Sequence, residues 1–320
     1  MRIVFMGTPE FAVPSLEALL RSEDQVVGVV TQPDRPKGRG QELTAPPVKQ
    51  LAERSGIPVL QPTKMKDPAF LSALQAWQPD VIAVAAFGRI LPPAILSLPP
   101  QGCINVHGSL LPKYRGAAPI QWAIINGERE AGITTMLMDE GMDTGAMLLQ
   151  EAIPIEPEDT GGSLGIKLAQ VGAKLLIETL RQLKAGQLHP IIQDHSQATL
   201  APILKKEHGL IDWKLSATAL ANCVRGLAPW PGAYTFARHH NRTERWNIWE
   251  ARVAETSGSL GQPGTIIKVE KDRLLMATGE GTLAITALQP AGGRRMTVPQ
   301  YLAGHPIDPG VLLGPPPAEG

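Results

Sequence analysis

The sequence of 320 residues has only two cysteines, Cys103 and Cys223, and they lie far apart in the chain. Neither belongs to a Cys-x-x-Cys motif or lies near a pair of histidines. The pattern therefore predicts neither a disulfide framework nor a zinc site, and we expect no bound metal.

Long apolar runs are also missing. The longest, residues 81–87, has seven residues, whereas a helix that spans a bilayer needs roughly 18. The first residues, MRIVFMGTPEF, lack the apolar stretch of about 7–15 residues that export signals carry. We therefore expect a cytoplasmic protein.

Several nucleotide and hydrolase motifs are absent as well. The turn after the first apolar run contains Gly7, Pro9 and Glu10, where a dinucleotide fingerprint would need three glycines close to the pyrophosphate. Pro9 removes an N–H donor from this turn, and Glu10 would repel phosphate. The sequence has neither a P-loop nor a Gly-x-Ser-x-Gly elbow. These absences argue against dinucleotide binding, phosphoryl transfer from ATP and serine hydrolysis of that type.

The chain carries no excess of one charge, because 30 Lys and Arg residues balance 30 Asp and Glu residues. After residue 204, basic residues are slightly in excess. Either a solvated surface or an RNA-binding face explains so small an excess of basic residues. Composition therefore does not distinguish these two interpretations.

The first part of the chain alternates apolar or β-branched runs with helical patterns. The runs are residues 2–6, 26–31, 58–60, 80–87 and 102–106. This alternation predicts an α/β fold with a Rossmann-like, doubly wound, mostly parallel sheet covered on both faces. Residues 131–138 and 146–153 flank a glycine-rich loop and predict an antiparallel edge, and the apolar stripe of residues 163–185 predicts a long helix.

Residues 187–206 break this rhythm with prolines and short apolar islands, which predicts a linker. We thus expect a first domain over 1–186, a linker over 187–206 and a second domain over 207–320. The second domain has a helical pattern near 216–227 and then short alternating segments. Such short strands with glycine turns predict a smaller, OB-like β-barrel.

The most informative residues for chemistry are Asn105 and His107, at the end of an apolar strand. Residues i and i+2 share one face of a strand, so the two side chains point into the same region at the carboxyl end of the sheet. An amide beside an imidazole can donate two hydrogen bonds to a developing oxyanion. The alternative is that Asn105 satisfies loop backbone and His107 is a hydrogen-bonded core histidine.

A glycine-bounded loop carries the third candidate, Asp143. In such loops an aspartate usually closes an Asx-turn, and Asp139 and Glu140 are competing acids. Considered alone, Asp143 is best explained by turn chemistry.

These segments together resemble a known family. The sequence NVHGSLLPKYRGAAPI at 105–120, followed by MDTG at 142–145, resembles the signature of the folate-dependent formyltransferases. Four further stretches are similar to the branch of that family that acts on methionyl initiator tRNA: RIVFMGTPEFAVP at 2–14, KGRG at 37–40, GLIDW at 209–213 and LAPWPGA at 227–233. The resemblance covers nearly the whole chain.

The resemblance implies transfer of a formyl group from 10-formyltetrahydrofolate to the α-amine of methionyl initiator tRNA, without a metal and by a monomer. It also implies that Asn105, His107 and Asp143 are the catalytic residues. The segment that would contact folate consists of Ser109, Leu110, Leu111 and Pro112.

Basic residues supply the candidates for tRNA contact. The loop 33–44 corresponds in the family to a segment that meets the acceptor arm, so Arg39 is the first candidate and Lys37 the second. Lys205 and Lys206, in the predicted linker, can track phosphates. A flexible, solvated surface explains the same charges.

Two other functions remain open at this stage. The same three residues could serve a formyltransferase that acts on a small amine, such as a purine-pathway or sugar-nucleotide enzyme, although a small acceptor gives no reason for a basic loop and a second domain. The chain could also be a non-catalytic protein that binds folate or RNA, although binding alone does not require Asn105, His107 and Asp143 together.

Overall fold

A computed structural model describes residues 1–37, 42–239, 242–258 and 260–315. The chain divides into two compact units. One comprises Met1–Pro119, Glu130–Pro154 and Gly165–Pro202, and the other comprises Ile120–Arg129, Ile155–Leu164 and Ile203–Gly320.

Short strands and helices alternate in the first 202 residues. The strands are β1 (Arg2–Gly7), β2 (Gln25–Val30), β3 (Arg35–Lys37), β4 (Glu42–Thr44), β5 (Val59–Leu60), β6 (Val81–Ala85), β7 (Cys103–His107), β8 (Arg115–Gly116), β9 (Glu130–Leu137), β10 (Met147–Pro154) and β11 (Leu200–Ala201). The helices are α1 (Val13–Arg21), α2 (Pro47–Arg54), α3 (Pro68–Ala76), α4 (Pro93–Leu96), α5 (Pro119–Ile125) and α6 (Gly161–Lys184), with 3-10 turns at Glu10–Ala12 and His195–Gln197.

The large sheet of the first unit has the strand order β10-β9-β7-β6-β1-β2-β5. Its five strands from β7 to β5 are parallel, whereas β9 runs antiparallel to both β7 and β10. The chain leaves β1 toward β2 and β5 and then returns to β6 and β7 on the other side, so the strand order reverses between β1 and β6. The predicted Rossmann-like, mostly parallel sheet with an antiparallel edge is confirmed.

The two central strands, β1 and β6, lie in the interior of the first unit and consist mainly of apolar residues. In β1, residues from Ile3 to Met6 are fully buried, and β6 is buried throughout. Phe70 and Leu74 of α3 pack onto β1 and β6 in one core cluster. Helix α6 approaches β7 at Gly172, where an added side chain would press on Val106. Such two-sided burial explains why these strands read as continuous apolar runs.

The second unit is built on antiparallel strands. After a 3-10 turn at Lys206–Gly209, its elements are α7 (Ala217–Gly226), β12 (Ala233–His239), β13 (Arg242–Glu255), β14 (Ile266–Val269), β15 (Leu274–Ala277), β16 (Thr282–Pro290), β17 (Met296–Thr297), α8 (Val298–Leu302) and β18 (Leu312–Gly314). The strand order is β14-β15-β16-β13-β12-β18, and β17 pairs with β16.

The sheet of the second unit curls until its edges meet. The N–H of Ile266 donates to the Val311 oxygen at 2.9 Å, and the N–H of Leu313 donates to the Gly264 oxygen at 2.8 Å. Trp246 is fully buried and meets Tyr301 edge to face, with ring centroids 5.3 Å apart. These features confirm the predicted smaller, OB-like β domain. Among the described helices, none combines the length and apolarity needed to cross a bilayer.

Candidate active site

The site lies at the carboxyl end of β7. Asn105 pairs with Val84 of β6 and Met136 of β9, and His107 pairs with Thr134. The two residues share one face of the strand. Their strand, β7, is the neighbour of β6, one of the two strands between which the strand order reverses, and open α/β sheets bind ligands near such a reversal.

His107 is 5% exposed, and each of its ring nitrogens faces an oxygen atom of the surrounding chain. Nε2 lies 3.0 Å from the carbonyl oxygen of Tyr114. Because a carbonyl oxygen can only accept, Nε2 must carry the proton of this hydrogen bond. Nδ1 faces Asp143 Oδ1 at 3.6 Å. The structure therefore brings His107 and Asp143 together, but the nitrogen away from Asp143 is engaged by the backbone.

In the loop between β9 and β10, Asp139 and Asp143 make different contacts. Asp139 closes the turn, since its Oδ1 accepts from the N–H of Gly141 at 3.0 Å and from Thr144 Oγ1 at 2.7 Å. Asp143 adopts the left-handed conformation, with a φ of 54°, and its Oδ2 accepts from the N–H of Gly116 at 2.9 Å. Turn chemistry thus belongs to Asp139, which leaves the carboxylate of Asp143 directed at His107.

Asn105 is half-buried. Its side-chain amide makes no hydrogen bond to any residue that the structure describes, whereas most neighbouring polar groups are paired. Because a polar group shielded from water costs free energy when it has no partner, the Asn105 amide would gain from a hydrogen bond to a ligand on this face of the sheet. Neither His107 nor Asp143 is in hydrogen-bond contact with it among the described residues.

The segment from Ser109 to Pro112 is fixed mainly through its backbone. Thr134 Oγ1 donates to the Ser109 oxygen at 2.7 Å and accepts from the Leu111 N–H at 3.0 Å. Gln150 Nε2 donates to the Leu111 oxygen at 2.8 Å. The Ser109 hydroxyl donates to the Lys113 oxygen at 2.6 Å, and the Ser109 and Leu111 side chains are buried. Leu110 and Pro112 therefore present the more accessible side chains of this segment.

The basic candidates lie elsewhere in the chain. Arg39 falls outside the described residues, and Lys37 ends β3. Lys205 and Lys206 are both exposed at the start of the 3-10 turn in the second unit. Their contacts with tRNA stay a prediction.

Four further groups hold the site together and were not assigned a role from sequence. They are the Tyr114 carbonyl, Arg115, Thr134 and Gln193. Tyr114 and Arg115 lie in the motif at 105–120, which is the signal that could have drawn attention to them. Gln193 lies in the predicted linker and carries no such signal.

The thiol nearest to the site is unsuited to nucleophilic chemistry. Burial raises the pKa of the Cys103 thiol to about 12, and a thiol acts as a nucleophile only as thiolate. Within the described part of the chain, no group of three or more His, Cys, Asp or Glu residues is placed to hold a metal ion.

Comparison with known proteins identifies the family. Residues 1–180 match the family model described as formyl transferase, and residues 203–306 match the model of the formyl transferase C-terminal domain. The chain belongs to the formyl transferase family. The family predicted from residues 105–120 and 142–145 is confirmed.

Relatives of this formyl transferase match along almost all of its length. A methionyl-tRNA formyltransferase of Desulfotalea psychrophila is 53% identical over 313 residues, which cover 98% of the chain and 95% of the relative. A methionyl-tRNA formyltransferase of Caldanaerobacter subterraneus is 54% identical over 314 residues, which cover 98% of the chain and 100% of the relative.

Solved structures share the fold of this formyl transferase at low sequence identity. The sugar 3N-formyl transferase WlaRD, solved in the presence of dTDP and 5-N-formyl-THF, gives a TM-score of 0.66 at 18% identity, covering 89% of this chain and 97% of that one. HypX from Aquifex aeolicus, in complex with tetrahydrofolic acid, gives a TM-score of 0.60 at 17% identity, covering 97% and 50%. These likenesses show the fold.

Proposed function

We propose that this chain transfers a formyl group from 10-formyltetrahydrofolate to the α-amino group of methionine on initiator tRNA. The observation that carries the proposal is 53% and 54% identity, along 98% of the chain, to proteins named methionyl-tRNA formyltransferase. Solved structures of the same fold with 5-N-formyl-THF and tetrahydrofolic acid support folate as the co-substrate. We further propose that the protein acts as a cytoplasmic monomer.

The reaction requires stabilisation of a negative oxygen. The amine attacks the formyl carbon and forms a tetrahedral intermediate, whose oxygen gains charge until the C–N bond to folate breaks. In our proposal the Asn105 amide and the His107 ring donate hydrogen bonds to this oxygen. The support is that both side chains occupy one face of β7 and that the amide has no described partner. A single donor of this kind contributes about 2.7–4 kcal/mol.

The position of His107 determines which nitrogen can serve. Because Nε2 donates to Tyr114, the donor to the substrate oxygen must be Nδ1, and Nδ1 then needs a proton of its own. In our proposal the carboxylate of Asp143, whose Oδ1 lies 3.6 Å from Nδ1, keeps the ring directed into the site. Active-site hydrogen bonds are often longer before substrate binds.

Proton transfer needs no strong base. The reference pKa of an α-amino group is about 8, so a fraction of the acceptor amine is neutral at pH 7. We assign a second task to Asp143, which is to order the water that carries the amine proton to the departing folate nitrogen. Its anchoring to Gly116 gives the carboxylate a fixed place for this task.

The remaining assignments concern binding and domain organisation. We propose that Ser109, Leu110, Leu111 and Pro112 contact folate, since they follow β7 directly and their backbone is rigidly held by Thr134. Arg39, Lys37, Lys205 and Lys206 are proposed to contact tRNA phosphates. A catalytic domain over 1–186, a linker over 187–206 and a tRNA-binding domain over 207–320 complete the proposal.

Direct assay of the acceptor tests this function. The protein is incubated with 10-formyltetrahydrofolate and methionyl initiator tRNA, and the released aminoacyl group is analysed by mass spectrometry for one added formyl group. Parallel reactions contain free methionine, uncharged tRNA or a dTDP-linked amino sugar. We expect formylation of the charged tRNA alone. Formylation of the amino sugar without formylation of the charged tRNA would overturn the proposed acceptor.

A further inference from the structure

Gln193 joins the loop of Asp143 to the rest of the first unit. Its side chain is 2% exposed, and Nε2 donates to two backbone oxygens, that of Asp143 at 2.9 Å and that of Gly145 at 2.7 Å. One amide group thus holds the main chain on both sides of Thr144.

Chemistry fixes the orientation of this amide. Backbone oxygens can only accept, so the group facing Asp143 and Gly145 must be the NH₂ of Gln193. The opposite atom, Oε1, accepts from Arg115 Nε at 3.0 Å and from a terminal nitrogen of Arg115 at 2.6 Å. A glutamate at this position would satisfy Arg115 but would place an oxygen against two carbonyl oxygens.

The guanidinium group of Arg115 has few hydrogen-bond partners besides Gln193 among the described residues. Its side chain is 7% exposed, and its hydrogen-bond partners among the described residues are Gln193 and Nδ1 of His195, at 3.1 Å. A buried guanidinium without acceptors is costly, so Arg115 binds the Gln193 oxygen firmly. The N–H of Arg115 also donates to the Thr199 oxygen at 2.9 Å, which anchors the arginine itself.

These contacts converge on the carboxylate that faces the imidazole. Asp143 is held at its main-chain oxygen by Gln193 and at Oδ2 by Gly116, while Oδ1 lies 3.6 Å from His107 Nδ1. Because Asp143 has a left-handed backbone, which non-glycine residues adopt only at a cost, this loop needs external support. We propose that Gln193, oriented by Arg115, is a positioning residue that keeps the Asp143 carboxylate directed at His107.

This inference rests on the proposed function for its kinetic test. In Gln193→Glu the side-chain length and the contact with Arg115 remain, but both donors to the loop are lost. We expect kcat to fall about 10–100-fold, because misplacement of a site group by about 1 Å typically lowers the rate by up to ~10²-fold. The KM for each substrate should change little. The matched control is Gln187→Glu, at an exposed glutamine in the same segment, which should keep the wild-type kcat. Equal kcat for the two variants would overturn the proposal.

A spectroscopic measurement makes the test independent of catalysis. In ¹⁵N NMR of the imidazole groups, the Nδ1 resonance of His107 should move in Gln193→Glu and stay in place in Gln187→Glu. If Gln193→Glu does not fold, Gln193→Ala removes the same donors without adding a charge and should give the same displacement. A His107 resonance that is unchanged in the folded Gln193 variant contradicts the positioning role. If the resonance moves although no formyl transfer is detected with wild type, the positioning role stands and the proposed function fails.

Discussion

The Nε2 atom of His107 lies 3.0 Å from the carbonyl oxygen of Tyr114, and this contact decides what the imidazole can do. In the neutral ring it fixes the proton on Nε2, so Nδ1 can donate a hydrogen bond only when the ring carries a second proton. Nδ1 lies 3.6 Å from Asp143 Oδ1. In hydrolytic triads one ring nitrogen meets the carboxylate and the other meets the reacting group. Here a backbone oxygen occupies Nε2, so in the proposed reaction Nδ1 would meet both the carboxylate of Asp143 and the substrate oxygen.

Asp143→Asn tests this arrangement. The amide is nearly the same size as the carboxylate but carries no negative charge. We expect kcat to fall at least ~10²-fold with little change in tRNA affinity, since the loss is confined to the transition state. The control is Glu140→Gln, which changes an exposed acid in the same loop and should leave kcat near wild type. Wild-type turnover by Asp143→Asn would remove the carboxylate from the chemistry.

Two glycines allow an equally sharp test of packing. A methyl group at Gly28 in β2 would overlap the Trp77 ring, whereas a methyl group at Gly165 in α6 meets no atom within 4 Å. Gly28→Ala should lower the free energy of unfolding by about 1–3 kcal/mol through overpacking. Gly165→Ala should raise it by up to about 1 kcal/mol, because alanine favours the helix. Urea unfolding followed by circular dichroism measures both, and equal effects of the two substitutions would contradict the packing described for β2.

The pair formed by Asp34 and Lys49 predicts a dependence of stability on pH. Lys49 Nζ lies 2.8 Å from Asp34 Oδ2, and Gln61 Nε2 donates to Oδ1 at 2.8 Å. Hydrogen bonds from Lys49 and then from Gln61 lower the pKa of Asp34 below its ordinary value of about 3.9. The resulting stabilisation of the folded state is complete at pH values above the ordinary pKa of aspartate. It is lost as the pH falls through the lowered pKa that Asp34 has in the folded protein.

Lys49→Met should therefore reduce the free energy of unfolding by about 0.2–1 kcal/mol at pH 7, and the difference from wild type should shrink below about pH 4. Urea titrations at a series of pH values measure this difference. Lys66→Met, at an exposed lysine, serves as the control and should show no such trend. If the difference in free energy of unfolding between Lys49→Met and wild type stays the same in acid, the ion pair is not its source.

Arg39 is the candidate for phosphate contact in the loop 33–44. Arg39→Ala should weaken tRNA binding and reduce the slope of log K against log salt by about 1, as expected when one phosphate contact is removed. Filter binding at several salt concentrations measures the slope. Arg21→Ala, which removes an exposed arginine from α1, should leave the slope as in wild type. An unchanged slope for Arg39→Ala would take this residue off the list of tRNA contacts.

The fold could be predicted from sequence wherever burial left a local pattern. Residues 3–6 of β1 and all of β6 are apolar and buried, and α7 begins after the capping residue Ser216. The hairpin of β3 and β4 was not predicted. Each of its strands has only three residues, most of them polar, so no alternating pattern marks a strand.

The site could be predicted only in part, for a related reason. Asn105 and His107 stand out because polar side chains at the end of an apolar strand are unusual. Gln193 does not stand out, since its hydrogen-bond partner Arg115 lies 78 positions away in the chain. Tyr114 contacts His107 through its backbone carbonyl oxygen. Because every amino acid carries this group, the residue type at position 114 gives no indication of the contact.

The most direct test of the proposed chemistry is a single-turnover measurement on Asn105→Ala, with 10-formyltetrahydrofolate and methionyl initiator tRNA both saturating. We expect the rate of formyl transfer to fall about 10²–10³-fold while the dissociation constants of both substrates stay close to those of wild type. A rate equal to wild type, or a loss explained wholly by weaker binding, would contradict the claim that this amide stabilises the oxyanion.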